Sequence, residues 1–246
     1  MIKFIVYITK TTVALITALL FSSCQFSVDL GESVKGSGNV TTVNRPVSGE
    51  FTNIEVSQGI DVQVTQSDAV SIEVKADDNI VDLITTDITD GTLKIALEKS
   101  VKNTKSKQVF VSLPQIESLR TSSGASIKSK NTLLVKDLET KASSGSEIKI
   151  NVEAERITCN SSSGSEIEVK GKALKLEAES SSGSDIEADE LLTNDVTAKS
   201  SSGSSIDVYP ILNLDAKASS GSNIKYHNTP KTLSKATSSG GSVRAD

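Results

Sequence analysis

The chain has 246 residues, a formal net charge of −5, and 36% hydrophobic but only 3% aromatic residues. Its single histidine, His227, disfavours a multi-histidine metal centre or a Ser-His-Asp triad, and its two cysteines cannot form a zinc cluster or a disulfide framework. The acidic balance disfavours nucleic acid as a partner. We therefore predict no catalytic, cofactor-binding or metal-binding residues, and no cofactor.

Residues 1–23 have the organisation of a secretory signal peptide. Lys3 and Lys10 give a basic start, residues 13–21 form an apolar run, and small serines precede Cys24. A membrane-spanning helix needs about 20 apolar residues, so this run is too short to form one.

Phe21-Ser22-Ser23-Cys24 resembles the lipobox of bacterial lipoproteins, with the apolar Phe21 where leucine is usual. The resemblance implies cleavage after Ser23 and acylation of Cys24, which would anchor the chain to a membrane. By the same resemblance, Gln25 directs the protein to the outer membrane. The alternative is an ordinary signal peptide in which a cysteine happens to occur at this position.

Residues 24–46 are rich in small and polar side chains, and we predict a tether between the anchor and the folded part. The alternative is that part of this segment forms a first edge strand. Residues 47–115 are predicted to form an N-terminal β region, because alternating segments are separated by turn signals such as Gln58-Gly59 and Asp90-Gly91. Residues 79–85 fit a short helical turn or a strand equally well.

Residues 116–246 contain an internal repeat, the word Ser-Ser-Gly. It occurs seven times, and the last residues of the copies are Gly124, Gly145, Gly164, Gly183, Gly203, Gly221 and Gly240. The spacing is about 19 residues, which is typical of one coil of a β-solenoid. A glycine at each corner can adopt a positive φ at low energetic cost.

The residues around each glycine follow the same register. A β-branched residue stands three positions after every glycine: Ile127, Ile148, Ile167, Ile186, Ile206, Ile224 and Val243. Apolar and polar residues alternate on both sides, which is the pattern of half-buried strands. We predict an all-β fold, a parallel β-helix or solenoid-like stack of coils in which these residues form one internal column and the N-terminal β region forms the modified end.

Gly59-Ile60-Asp61, Ala76-Asp77-Asp78, Asp90-Gly91-Thr92-Leu93 and the Ser-Ser-Gly coils together resemble a known bacterial family. This family is described as putative autotransporter adhesin, head GIN domain, and is common in lipoproteins of Bacteroidetes. The resemblance covers about residues 47–226, with Asp61 where the family name has asparagine. It implies an all-β solenoid fold and assigns no catalytic residues.

Acidic residues stand two positions after three of the glycines, as Glu147, Glu166 and Asp185. Stacked carboxylates can bind calcium, but the other coils have serine or asparagine at this position, and the spacing of calcium-binding β-rolls is missing. We interpret these residues as a solvated charge ladder, in which Lys149 offsets the repulsion. Cys159 occupies a position where other coils have alanine, which predicts a small core residue.

The sequence leads to three functional hypotheses. The first is a non-enzymatic, lipid-anchored solenoid of the cell envelope, with the membrane and a surface glycan or protein as its partners, acting in adhesion or envelope interaction. The second is a glycan-processing lyase or hydrolase on a β-helix, which would need clustered acids and bases in one cleft. The third is a structural spacer that presents another protein.

The predicted anchor can be tested by replacing Cys24. Cys24→Ser removes the sulfur that would carry the acyl chains, so we expect the protein to leave the membrane fraction. Cys159→Ala is the matched control, because it removes the other thiol and should leave the protein in that fraction. The measurement is a membrane pelleting assay after an alkaline wash. Continued pelleting of the Cys24→Ser protein would contradict lipidation.

Overall fold

The computed structural model describes residues 33–246. The predicted signal peptide 1–23, the predicted lipidation site Cys24 and residues 25–32 of the predicted tether lie outside the described residues. Residues 34–246 form one compact unit, which contains the whole of the described hydrophobic core. Among the described residues, no helix is both long enough and apolar enough to span a membrane.

Nine strands and one short helix form the first part of this unit. The strands are β1 Val34–Lys35, β2 Val40–Arg45, β3 Asn53–Val56, β4 Asp61–Gln66, β5 Ser71–Asp77, β6 Ile84–Thr89, β7 Thr92–Leu97, β8 Val101–Lys102 and β9 Lys107–Leu113. A 3-10 helix at Val81–Leu83 precedes β6, so the segment 79–85 contains both a helical turn and the start of a strand. Strands β1 and β2 lie in the segment predicted as a tether. This part of the segment is folded, because the alternating residues of β2 pair with β5 in antiparallel register.

Ten strands form the second part. They are β10 Ser118–Thr121, β11 Ser126–Ser129, β12 Leu133–Ser143, β13 Glu147–Ser162, β14 Glu166–Ser181, β15 Asp185–Ser200, β16 Ser205–Ala218, β17 Asn223–Tyr226, β18 Thr232–Thr237 and β19 Ser242–Ala245. All the pairings among them are parallel. The predicted all-β solenoid with coils of about 19 residues is confirmed.

Isoleucines from successive coils lie directly opposite one another. Ile148 pairs with Ile167, and Ile167 pairs with Ile186. All three side chains are at most 1% exposed, and the column continues through Ile206 and Ile224. Full burial of such a side chain contributes about 1.5–3 kcal/mol, so the column is a main source of stability.

Each Ser-Ser-Gly corner is a tight turn with two residues at positive φ. In the third copy, φ is 56° at Ser163 and 69° at Gly164, which are values of a type I′ turn. The amide of Gly164 donates a hydrogen bond of 3.2 Å to the carbonyl of Ser182 at the next corner. The same bond recurs from corner to corner, so the backbone ladder continues through the turns and offsets the strain of serine at positive φ.

The first coils of the stack do not follow chain order. Strands β3 and β4 pair on one side with β10 and β11, and on the other side with β7 and β9. The chain therefore forms the second layer first, then the outermost layer, and then returns to build the Ser-Ser-Gly coils. Strands β9 and β10, on either side of the predicted boundary between residues 115 and 116, both pair with the β3–β4 coil. Gln58 and Gly59, both at positive φ, form the corner of the β3–β4 coil.

Antiparallel strands close the N-terminal end of the stack. Strand β5 pairs with β9, and β6 pairs with β7, both in antiparallel register. The buried carboxylate of Asp77 at the end of β5 holds this cap together. It accepts backbone N–H bonds from Gly38 at 2.9 Å, Lys105 at 2.9 Å and Ser106 at 3.0 Å.

Asp77 makes the stability of this cap dependent on pH. Burial by itself would raise the pKa of Asp77, but the N–H donors of Gly38, Ser106 and Lys105 favour the anion, and the pKa lies below its usual value. A carboxyl with a lowered pKa stabilises the fold above its unfolded pKa of about 3.9, and this contribution is lost as the pH falls through the folded pKa. We expect Asp77→Asn to lower the Tm at neutral pH and to flatten the acid limb of a Tm–pH curve. The control is Asp68→Asn, in an exposed loop, which should leave both unchanged.

The isoleucine column can be tested at Ile167. Ile167→Asp places a charge among fully buried side chains, and we expect it to unfold the solenoid. Ile167→Val keeps the column apolar and should cost only about 0.5–1.5 kcal/mol. Thermal denaturation followed by circular dichroism distinguishes the two variants. An Ile167→Asp protein that melts close to the wild type would show that this column is in contact with water.

Candidate ligand-binding surface

A long groove runs along one face of the solenoid beside the Ser-Ser-Gly corners. We call it the serine groove, and its volume is about 740 Å³. Its lining repeats from coil to coil, with one outward residue followed by small residues that lead into the corner. The outward residues are Lys141, Asn160, Glu179, Lys199, Lys217 and Ala236.

The parallel register determines the order of side chains along the groove. Lys141 pairs with Asn160, which pairs with Glu179, and the row continues through Lys199 to Lys217. Neighbouring positions are therefore separated by one strand spacing of about 4.8 Å. Nζ of Lys199 lies 2.6 Å from Oε1 of Glu179, and this pairing raises the pKa of Lys199. The groove thus presents ammonium, carboxylate, amide and hydroxyl groups at regular intervals.

The serines at the corners differ in burial, and those that follow a glycine do not line the groove. Ser165 is buried, and its hydroxyl accepts the amide N–H of Ser162 at 3.0 Å and lies 2.9 Å from the hydroxyl of Ser161. Ser184 makes the equivalent bonds in the next coil. In five of the seven copies a serine follows the glycine, and its hydroxyl accepts the turn amide in the same way: Ser146, Ser165, Ser184, Ser204 and Ser222. By contrast, Ser162, Ser181 and Ser201 are half-buried in the groove wall.

The opposite face carries a ladder of paired charges. Nζ of Lys149 lies 3.1 Å from a carboxylate oxygen of Glu147, 3.0 Å from Glu166 and 3.2 Å from Glu168. Hydrogen bonds to Glu166 and Glu147 raise the pKa of Lys149. Lys170 continues the ladder and, together with Lys149, lowers the pKa of Glu168. Two of the three acidic residues considered above for calcium, Glu147 and Glu166, are thus ion-paired.

A closer group of carboxylates occurs in this ladder at Glu166, Glu168 and Glu187, whose oxygens lie within 4.8 Å of one another. The sequence pattern does not single out Glu187, because the position four residues after a glycine holds an acid in some coils, such as Glu168, and a base in others, such as Lys149. Burial and the neighbouring Glu166 raise the pKa of Glu187. Burial also raises the pKa of Asp185, which lies opposite Glu166 of the preceding coil. Lys149 supplies counter-charge beside this group.

The remaining candidate residues lie apart from the serine groove. Cys159 is fully buried in the core, and burial raises the pKa of its thiol to about 11, so the thiol is protonated at neutral pH. His227 lies beyond β17, with Nδ1 3.2 Å from Oδ2 of Asp246 and Nε2 4.0 Å from Oδ1 of Asp207. The carboxylate of Asp77 accepts backbone hydrogen bonds within the N-terminal cap. The predicted lipidation site Cys24 is outside the described residues.

The stacked parallel coils that carry these outward rows place the chain in the class of β-solenoid proteins. The chain itself belongs to the family described as putative auto-transporter adhesin, head GIN domain, whose model matches residues 50–230. The resemblance found in the sequence is therefore confirmed. This family suggests a protein of the cell surface or envelope and indicates no catalytic function.

Solved structures from Bacteroidales share the fold. A putative adhesin from Bacteroides fragilis has a TM-score of 0.81 and 22% identity, and covers 87% of this chain and 100% of its own. A putative lipid binding protein from Parabacteroides distasonis has a TM-score of 0.72, 21% identity and coverages of 87% and 100%. A putative adhesin from Parabacteroides merdae has a TM-score of 0.71, 18% identity and coverages of 88% and 100%. At these identities the likeness shows the fold. No curated protein matches the chain.

Proposed function

We propose that this chain is a non-enzymatic, lipid-anchored adhesin of the outer membrane and that the serine groove binds an extended glycan. The observation that carries the proposal is the continuity of the groove, which spans the corners from Lys141 to Ser238 without interruption. Membership of the adhesin family supports the general role, and the lipobox at Cys24 supports the anchor.

The lining of the groove suits a glycan chain. A polysaccharide presents hydroxyl groups at each sugar, and the groove presents polar groups at each coil, about 4.8 Å apart. Lys141 and Lys217 have exposed ammonium groups at separate points of the row, and these would pair with the carboxylates of acidic sugars. Nζ of Lys217 also lies 3.5 Å from Oδ2 of Asp215, at an exposed position where a ligand carboxylate can still approach it. We therefore favour an acidic glycan over a neutral one. A protein strand is the competing ligand, and the test below distinguishes it.

The carboxylates of the groove do not form the pair that glycoside hydrolysis uses. That reaction requires one protonated carboxyl group as the acid and a second, ionised carboxylate. Oε2 of Glu139 lies 2.7 Å from a guanidinium nitrogen of Arg120, and Glu179 is paired with Lys199. Both carboxylates are thus engaged in ion pairs with neighbouring cations, which supports binding rather than glycan cleavage.

The proposed groove can be tested by removing its lysines. The double variant Lys141→Ala and Lys217→Ala should bind acidic glycans at least about tenfold more weakly, because one lost charge-assisted bond costs about 1.5–3 kcal/mol. The matched control is Lys128→Ala with Lys225→Ala, which removes two lysines from the opposite face and should leave affinity unchanged. A glycan array identifies the ligand, and titration calorimetry gives the affinities.

Three results would contradict this proposal. Equal losses in the two double variants would show that the groove is not the binding surface. Binding to peptides with no response on the glycan array would favour a protein ligand. An absence of binding to glycans and peptides, with cell attachment unchanged after deletion of the gene, would favour the spacer hypothesis.

A further inference from the structure

The N-terminal end of the folded unit carries a basic surface, although the net charge of the chain is −5. Residues 99–107, which lead from β7 through β8 into β9, contain four lysines and no acidic residue. Strands β1 and β5 each add a lysine beside this segment. We call these six side chains the basic cap: Lys35, Lys75, Lys99, Lys102, Lys105 and Lys107.

Strand pairing brings these lysines together from distant parts of the sequence. Lys35 lies directly opposite Lys102 in the parallel pair of β1 and β8. Lys75 lies opposite Gln108 in the antiparallel pair of β5 and β9, where Lys107 is the preceding residue. Like charges on directly opposite positions of two strands repel one another. An anion bound between them would relieve this repulsion.

Three of the lysines surround a hollow. Lys75, Lys105 and Lys107 line a cavity of about 540 Å³, to which Thr104 and Ser106 also contribute. The cavity therefore combines ammonium groups with hydroxyl groups, and both can donate hydrogen bonds. Hydrogen bonds from ammonium groups to phosphate oxygens are among the stronger ones in proteins. The chemistry of this hollow thus suits a phosphate group.

The lysines of the basic cap have no internal counter-charge. Within residues 33–246, none of the six forms an ion pair, whereas Lys149 of the charge ladder contacts three carboxylates. Five of the six are exposed, and Lys107 is half-buried. The exposed or half-buried acids beside them are fewer: Asp61, Glu73, Asp78 and Glu98. An excess of positive charge therefore remains, which an anionic partner would complement.

The backbone of the lysine-rich loop is held in place before any ligand binds. The amides of Lys105 and Ser106 donate hydrogen bonds of 2.9 Å and 3.0 Å to the carboxylate of Asp77. The hydroxyl of Ser106 donates a hydrogen bond of 2.8 Å to the carbonyl of Lys75. The loop therefore needs little ordering when a ligand binds, which reduces the entropic cost of binding.

The chain that leads from the predicted lipidation site enters the folded unit at the basic cap. Cys24 precedes Ser33, the first described residue, by nine positions, and the residues after Ser33 form β1 with Lys35. Nine residues span at most about 32 Å when fully extended. An acyl chain on Cys24 would therefore keep β1 within about this distance of a bilayer surface. Such a short connection raises the effective concentration of lipid headgroups around the cap.

We propose that the basic cap docks on the anionic phosphate groups of membrane lipids. Lysines close to an anionic bilayer each contribute to attachment, and a lipid chain combined with a polybasic patch gives stable anchoring. The short connection to Cys24 favours a membrane over a soluble anion as the partner. The choice of a membrane thus rests on the proposed lipidation, whereas the affinity of the cap for anionic lipid is a property of the folded unit and can be measured without it.

The first measurement examines the cap without acylation. It uses residues 24–246 with Cys24→Ser, which keeps every described residue and the whole described core. We expect this protein to sediment with vesicles of phosphatidylcholine and phosphatidylglycerol but not with phosphatidylcholine vesicles. Binding should weaken at high salt, because salt screens the attraction. No binding to the anionic vesicles, or equal binding to both kinds, would overturn the proposal.

The second measurement removes two lysines of the cap. Lys102→Gln with Lys105→Gln should bind anionic vesicles at least about tenfold more weakly, because each lysine near an anionic surface contributes about fivefold. The matched control is Lys136→Gln with Lys231→Gln, which removes the same charge at two exposed positions outside the cap and the serine groove. The control should bind as the parent protein does. Equal losses in the two double variants would show that net charge alone controls binding, and the proposal would fail.

A second cap variant, Lys99→Gln with Lys102→Gln, leaves the lining of the hollow unchanged and should also weaken binding. Circular dichroism melting identifies a variant that fails to fold, and the other cap variant then decides the outcome. Unchanged binding by both folded cap variants would contradict the proposal.

Two further comparisons separate the membrane from other anions. Inorganic phosphate, compared with chloride at equal ionic strength, should not displace the protein from anionic vesicles, and displacement would assign the hollow to free phosphate instead. The variant with Lys102→Gln and Lys105→Gln should bind a glycan array as the parent does, and a loss there would assign the cap to the glycan. Either result would overturn membrane docking. The tested protein has no acyl chain and keeps Lys141 and Lys217, so the anchor and the serine groove are tested separately.

Discussion

The fold depends on one constraint, the parallel register between successive coils. Each coil is too thin to bury its own apolar residues. The side chain of Ile148 is buried because Ile167 of the next coil packs against it. The register survives the corners because the glycine amide of one turn bonds to the serine carbonyl of the next. In five of the seven corners a buried serine after the glycine also bonds within the turn, and this makes those corners uniform enough to stack.

The same register determines the surface. Each outward position recurs in the next coil at a spacing of about 4.8 Å, whether or not the side chains at the two positions have compatible charges. On one face this brings Lys149 between carboxylates of three residues and creates the charge ladder. On the other face it aligns a row of polar side chains beside the corners and creates the serine groove. A binding surface of this kind needs no special loop, since the repeat itself supplies the alignment.

A stack of open coils needs different solutions at its two ends. The N-terminal end is covered by strands that reverse direction, and the buried carboxylate of Asp77 satisfies the amides of the loops that meet there. The C-terminal end carries Lys235, a charge over an aromatic ring. The first arrangement pairs the edges of the outermost coil with additional strands, whereas among the described residues no strand pairs with the outer edge of β18.

The Ser-Ser-Gly period and the β-branched residues three positions later were enough to predict the solenoid and its internal column, and the family was recognised from the coils together with short N-terminal motifs such as Gly59-Ile60-Asp61. These features are local and repeat along the chain, so they are visible in the sequence. Only the tertiary structure decided that β3 and β4 lie between β10–β11 and β7–β9, since pairing of strands distant in the sequence leaves no local period. It also decided the clamp at Asp77 and the grouping of Glu187 with Glu166 and Glu168, because these depend on which layers lie next to each other in space.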